Sequence, residues 1–228
     1  MRDGYDTSPI NPLPPVVWAL ALPVVAMEVV LGLGQSGLAG GALAVGWRLD
    51  ALQRFSFAPG ILRAMIEAGQ FPASQMVRFV TYPFVHMSFT HALLVLVFIL
   101  ALGKMVGEVF RGWAVLTVFF GSAIVGALAY TAVPGMSQPL IGGYPAVYGL
   151  VGAFTWILWT RLGMVNANRA RAFTLIGFLL GIQLVFGLLF GGQPYWIAEL
   201  SGFVTGFALS FIVAPGGWGK AVERLRRR

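Results

Sequence analysis

The sequence lacks cysteine, has two histidines and carries few charges. Its 228 residues contain 15 Lys or Arg and 8 Asp or Glu, so that charged residues make up 10% of the chain. Without cysteine there is no disulfide framework, thiolate metal site or cysteine nucleophile. Two histidines without an H-E-x-x-H motif are too few for a zinc peptidase, and we expect no metal or other cofactor. The low charge also excludes an ordinary soluble domain, in which about 25% of residues are charged.

The chain is instead rich in apolar residues. Hydrophobic residues make up 58% of it, and its mean hydropathy is +0.82. A helix that crosses a bilayer core of about 30 Å needs roughly 20 apolar residues, and charge-free stretches of that length recur along the chain. We therefore predict an all-α polytopic membrane protein. The net charge of +7 does not indicate nucleic acid, because the basic residues lie between and after the apolar stretches, where anionic lipid headgroups would meet them.

The charge-free stretches predict six spans. A run over residues 112–160 is too long for one helix, and the turn between Pro134 and Pro139 divides it into the third and fourth spans. The other spans are predicted within residues 14–34, 79–103 and 172–190 and, after a turn at 191–194, up to about residue 215. They define a tail over 1–13, a membrane domain over 14–215 with a long first loop at about 35–78, and a basic tail over 216–228.

The distribution of Lys and Arg predicts the orientation. If both termini are cytoplasmic, 11 of the 15 basic residues lie on that side. The other four are Arg48, Arg54, Arg63 and Arg78, all in the first loop or at its end. That loop has apolar residues at helical spacing (Ile61, Leu62, Met65, Ile66), so we expect short helices in the outer interface.

Small residues at helical spacing predict a helix contact. Gly202 and Gly206 form a G-x-x-x-G in the sixth span, and Gly149, Gly152 and Ala153 crowd one side of the fourth. Small residues let membrane helices approach closely, so we expect these two spans to pack together.

Four ionisable residues fall within predicted spans: Glu28, His86, His91 and Glu199. Such groups are costly in lipid and indicate either a polar cluster that fixes helix packing or a catalytic or ion-handling site. An aspartate-dyad protease is excluded, because Asp3, Asp6 and Asp50 lie outside the spans.

Three motifs resemble those of the rhomboid family of intramembrane serine proteases. The second predicted span, VRFVTYPFVHMSFTHALLV, is similar to the family's pattern of histidines followed by asparagine, with Arg78, His86 and His91 in place. The segment GGYPAVYGLVGA resembles the family's Gly-x-Ser-Gly motif, and AELSGFVTGFALSF resembles its Ala-His-x-x-Gly-x-x-x-Gly motif. The resemblance implies a six-span bundle with a long first loop.

The chain departs from these motifs at the residues that perform the chemistry. The resemblance puts Tyr144 at the position of the serine nucleophile, Pro145 at the following glycine and Glu199 at the histidine base. His91 is retained, whereas Val95 replaces the asparagine that helps to hold the oxyanion. A buried phenol is a poor nucleophile, and proline has no backbone N–H to donate.

These replacements predict a proteolytically inactive, rhomboid-like protein of the bacterial inner membrane. The resemblance implies binding of transmembrane helices, so the leading hypothesis is a protein that binds client or partner membrane proteins, in quality control, trafficking or assembly, or as a subunit of a larger complex. The alternative is a proton or small-solute pathway built on His86, His91 and Glu199, and proteolysis by another serine, Ser88 or Ser201, is a third. We expect Glu199 to pair with a histidine, and Glu28, for which the family pattern offers no partner, is a candidate contact with another subunit.

Overall fold

The computed structural model describes residues 12–190 and 194–215, and this part of the chain is helical without strands. The all-α prediction is therefore confirmed. The helices are α1 Pro15–Gln35, α2 Trp47–Phe55, α3 Pro59–Ala68, α4 Ala73–Met76, α5 Arg78–Thr81, α6 Phe89–Gly107, α7 Gly112–Ala132, α8 Tyr144–Met164, α9 Thr174–Phe190 and α10 Trp196–Val213. Short 3₁₀ helices cover Gly41–Gly46, Tyr82–Phe84 and Arg169–Phe173.

Within the described residues, four helices are long and apolar enough to cross a membrane: α1, α6, α7 and α10. Helix α9 has 17 residues, and α8 has 21 with Arg161 in its last turn. The count of six spans and the orientation stay predictions. The turn at 191–193 and most of both predicted tails lie outside the described residues.

The second predicted span begins too early. Helix α6 begins at Phe89, not at residue 79, because Pro83 lies in a 3₁₀ turn and Val85 is extended. Ser88 then caps α6 by accepting a hydrogen bond from the backbone N–H of His91, at 3.2 Å. His86 consequently lies in the connection before α6 and not within that helix.

The first loop folds into the short helices predicted for it. Leu62 and Met65 of α3 are buried, whereas Ile66 is exposed. Arg63 of the same helix donates to the carbonyl oxygens of Met136 (2.7 Å) and Thr131 (2.8 Å), in and after the last turn of α7. Terminal carbonyls of a helix have no partner within it, so Arg63 satisfies them and fastens α3 to α7.

Helices α7, α8 and α10 form the most tightly packed part of the bundle, and glycines line their contacts. A Cβ atom at Gly202 or Gly206 of α10 would collide with the carbonyl oxygen of Pro145 or Gly149 of α8. A Cβ atom at Gly152 would collide with the carbonyl oxygen of Phe203. The two backbones touch at these positions, and this contact fixes where the first turn of α10 lies relative to the first turn of α8.

Candidate functional site

A cavity of about 160 Å³ lies where α6, α8 and α10 begin. Four of the residues that line it occupy positions of the rhomboid motifs. His91 is the motif's own residue, whereas Tyr144, Pro145 and Glu199 are replacements. These residues come from three helices that are far apart in sequence. The remaining lining residues are Met87, Leu140, Ile141, Gly142 and Tyr195.

Rings fill one side of this cavity. The His91 and Tyr144 rings are stacked, with centroids 5.1 Å apart and planes at 18°. His86 meets His91 edge to face, also with centroids 5.1 Å apart. The phenol thus packs on an imidazole, a favourable arrangement for aromatic rings.

The histidines have buried nitrogen atoms without partners. Among the described residues, neither ring nitrogen of His86 nor Nε2 of His91 has a hydrogen-bond partner. Burial lowers the pKa of His86 to about 3, and His91 and Arg48 contribute in the same direction. His86 is therefore neutral near pH 7. Buried polar atoms of this kind are costly, and they mark a place where water or a ligand can bind.

Backbone contacts to the first loop hold the segment before α8 against these rings. The backbone N–H of Phe57 donates to Leu140 (3.1 Å), and that of Leu140 donates to Phe57 (2.8 Å). Gly142 follows with φ of +88°, which favours glycine, and a Cβ atom there would lie 2.7 Å from the His91 ring. The first loop therefore helps to shape the cavity.

Val95 also lies beside this segment. It is fully buried in α6, and a Cβ atom at Gly143 would lie 2.9 Å from its Cγ1. The family motif has asparagine at this position. Val95 is aliphatic and cannot form a side-chain hydrogen bond.

Glu199 is 5% exposed and accepts a hydrogen bond from the Nε2 amide of Gln183 in α9. The expected pairing with a histidine is wrong: in the described residues, Glu199 accepts no hydrogen bond from His86 or His91. The sequence offered one sign of the true partner, because Gln183 is a polar side chain in a predicted span. An amide placed in such a segment needs a hydrogen-bond partner.

The two serines considered as substitute nucleophiles have their hydroxyls in local helix contacts. Ser88 Oγ accepts the N-cap hydrogen bond of α6. Ser201 Oγ donates to the carbonyl oxygen of Ile197, at 2.7 Å, one turn earlier in α10. No hydrogen bond connects either hydroxyl to a histidine ring in the part of the chain that the structure covers.

Glu28, the fourth ionisable residue, has a partner within the chain. Its two carboxylate oxygens accept from Nη1 and Nη2 of Arg48, each at 2.9 Å, and Arg48 Nη1 also donates to the carbonyl oxygen of His86, at 2.9 Å. Sequence reasoning missed this pair because Arg48 belongs to the first loop, whose basic residues were taken to face outward. Glu28 also borders an apolar groove of about 480 Å³ between α1 and α6.

Together, the apolar helices, the glycine-lined contact of α8 and α10 and the cavity at their first turns define a polytopic helical membrane protein. The family model described as Rhomboid domain matches residues 73–216, more than half of the chain. The chain therefore belongs to the rhomboid family. Among curated proteins, none matches it.

Proposed function

We propose that this rhomboid-family protein is proteolytically inactive and binds the transmembrane helices of client or partner membrane proteins. The observation that carries the proposal is which residues line the cavity. Tyr144 and Glu199 stand where the family resemblance puts a serine nucleophile and a histidine base. A phenol stacked on His91 and a carboxylate bonded to an amide supply neither an activated hydroxyl nor a base aimed at one.

The oxyanion site is altered together with the nucleophile and the base. Pro145 cannot donate a backbone hydrogen bond, and Val95 contributes only methyl groups. Ser88 and Ser201 are engaged in helix contacts, which argues against a displaced nucleophile. A rhomboid-family protein without a catalytic site still has a bundle of membrane helices, and the outer faces of these helices can contact other helices.

The same proposal includes six spans, cytoplasmic termini and a bacterial inner membrane. The basic residues at 104, 111, 161, 169 and 171 and in the tail support the orientation, since Lys and Arg accumulate on the cytoplasmic side. The client contact is proposed on α9, where Phe178 is 64% exposed and Leu188 is 78% exposed. A membrane helix with large apolar side chains on its outer face can pack against a second helix.

The test is purification of the tagged protein from its native membrane in a gentle detergent, followed by quantitative mass spectrometry. Many substoichiometric membrane proteins would indicate client binding, and one partner at fixed stoichiometry would indicate a subunit of a complex. Replacing Leu188 and Leu189 of α9 by Ala should lower recovery of the partners. The matched control replaces Val125 and Leu128 of α7, which are also exposed. Recovery of the protein alone would contradict the proposal.

The unpartnered nitrogens of His86 and His91 favour one second candidate, a pathway for protons or a small polar solute. His91 lines the cavity together with Glu199 and Tyr144, and His86 packs edge to face against His91. In liposomes, this alternative requires a measurable flux that Glu199→Gln abolishes. Absence of flux from the native protein would remove it.

A further inference from the structure

The cavity contains a buried carboxylate that no cation neutralises within the described residues. Glu199 is 5% exposed, and its hydrogen-bond partner, Gln183, is a neutral amide. The first turn of α10 contributes only the positive end of a helix dipole, equivalent to about half a charge. A buried charge with so little compensation is costly, so the arrangement favours a bound positive group.

Two further polar atoms near the cavity have no hydrogen-bond partner within the described residues. Oε1 of Gln183 is buried without a donor, and Nε2 of His91 is buried without a partner. The hydroxyl of Tyr195, by contrast, donates to Oε1 of Gln138, at 2.9 Å. Glu199 and His91 both line the cavity and offer acceptor atoms, so a ligand that donates hydrogen bonds suits it.

The walls of the cavity suit a small organic cation. Three rings line it, those of His91, Tyr144 and Tyr195, and aromatic faces attract cations within about 6 Å. Leu140 and Met87 add apolar surface for carbon atoms, and Met87 is 61% exposed, so the cavity is close to the protein surface. A volume of about 160 Å³ is enough for a few carbon and nitrogen atoms in addition to water.

We propose that this cavity binds a primary alkylammonium group, with its N–H donors directed at Glu199 and His91 Nε2. A primary ammonium has three donors and no acceptor, which matches the atoms that lack partners. A quaternary ammonium has no N–H and satisfies none of them. The group can come from a free amine or from the headgroup of an aminophospholipid, since the two share this chemistry. The proposal is independent of client binding and applies whether or not α9 contacts a partner.

The test is calorimetric titration of the full-length protein in detergent with methylammonium and ethanolammonium chloride at constant ionic strength. We expect saturable binding, with affinity reduced about tenfold or more in Glu199→Gln, because a charge-assisted hydrogen bond is replaced by a neutral one. Glu67→Gln is the matched control, since Glu67 is an exposed carboxylate on α3, and it should bind as the native protein does. Equal affinity in Glu199→Gln, or no binding of either cation, would overturn the proposal.

A second titration uses only the native protein, so it tests the proposal even if Glu199→Gln fails to fold. The native protein should bind ethanolammonium more tightly than ethylene glycol, its neutral analogue, and more tightly than tetramethylammonium, which cannot donate. Equal binding of the neutral analogue would contradict a charged site. Equal binding of tetramethylammonium would contradict the assignment of N–H donors to Glu199 and His91.

Nanodiscs distinguish the two sources of the ammonium group. The protein is reconstituted in phosphatidylglycerol mixed with either phosphatidylethanolamine or phosphatidylcholine, and the lipid retained after extraction is measured by native mass spectrometry. Selective retention of phosphatidylethanolamine, lost in Glu199→Gln and kept in Glu67→Gln, identifies the headgroup as the source. Binding of free ethanolammonium without retention of lipid identifies a free amine.

Discussion

Two carboxylates on different helices, Glu28 and Glu199, have different kinds of partner. Glu28 of α1 has both oxygens bonded to the guanidinium of Arg48 at 2.9 Å, and the same guanidinium reaches the carbonyl oxygen of His86. Glu199 of α10 is bonded to the neutral amide of Gln183 and borders a cavity with an unpartnered imidazole nitrogen. The first carboxylate is paired with a cation, whereas the second is bonded to a neutral amide in the part of the chain that the structure describes.

The difference separates a structural carboxylate from one that is available for binding. A charged pair with its hydrogen bonds satisfied holds the first loop to α1 and to the connection before α6, and the loss of either partner leaves an uncompensated charge. The contact of Glu199 with Gln183 does not require a cation, because the amide N–H can donate to a carboxylate or to a neutral carbonyl oxygen. We therefore expect the region around Glu28 to govern stability and the region around Glu199 to govern binding. Four substitutions follow, from the largest expected effect to the smallest; the first and last compare the two carboxylates, and the other two test the packing that positions Glu199 and His91.

Arg48→Ala should be the most damaging of the four. It leaves the Glu28 carboxylate, whose side chain is 9% exposed, without a cation and removes a donor from the His86 carbonyl oxygen. We expect a loss of about 3 kcal/mol or more in the free energy of unfolding, measured by denaturation in detergent. Arg48→Met combined with Glu28→Leu should restore part of the loss. No recovery in the double variant would show that the charges are not the cause.

Gly206→Ala tests the contact between α8 and α10. The new Cβ atom would collide with the carbonyl oxygen of Gly149, so one helix must shift, and we expect a loss of about 2 to 3 kcal/mol. The matched control is Gly32→Ala in α1, where a Cβ atom meets no neighbour. That change should be neutral or stabilising by up to about 1 kcal/mol, because Ala favours helix over Gly. Equal effects at the two positions would contradict the close packing around Glu199.

Gly142→Ala tests the positioning of the site segment. With φ of +88° and the His91 ring in the path of a Cβ atom, alanine should cost about 1 to 2 kcal/mol and displace the ring. Gly135→Ala is the control, because Gly135 also has a positive φ (81°) but no neighbour within 4 Å. Thermal unfolding separates the two contributions. Identical losses would mean that only backbone strain matters and that the contact with His91 does not.

Glu199→Gln should have the smallest effect on folding. Its amide oxygen can accept from Gln183 as the carboxylate does, so we expect a change below about 1 kcal/mol in the same denaturation experiment. Glu28→Gln should cost clearly more. If Glu199→Gln proves as destabilising as Arg48→Ala, Glu199 is a structural residue and the contrast between the two regions fails.

Hydropathy predicted the helical class and most helix bounds, because apolar length is a local property of the chain. Helix α1, at Pro15–Gln35, is within a residue of the predicted 14–34. The predicted start of α6 was wrong because the apolar stretch contains a break. A turn with Pro83 ends one helix, and Ser88 caps the beginning of the next. Hydropathy carries no information on such breaks.

Part of the site could be predicted from the sequence, because the family motifs indicate which positions of different helices form one site. His91, Tyr144, Pro145 and Glu199 line one cavity, as a site assembled from these motifs requires. The partners of the two carboxylates were not readable, because Arg48 lies 20 residues from Glu28 and Gln183 lies 16 from Glu199, on separate helices. Pairing across a bundle depends on helix rotation, which composition does not specify.

The most direct test of the central claim, that the protein is proteolytically inactive, is labelling of the purified protein with a serine-reactive fluorophosphonate probe. The account predicts no labelling of the native chain in detergent or in liposomes. Tyr144→Ser combined with Pro145→Gly, Val95→Asn and Glu199→His restores the family's residues, and labelling of that variant would support the assignment of positions. Labelling of the native protein that is lost when Ser88 or Ser201 is replaced by Ala would contradict the account.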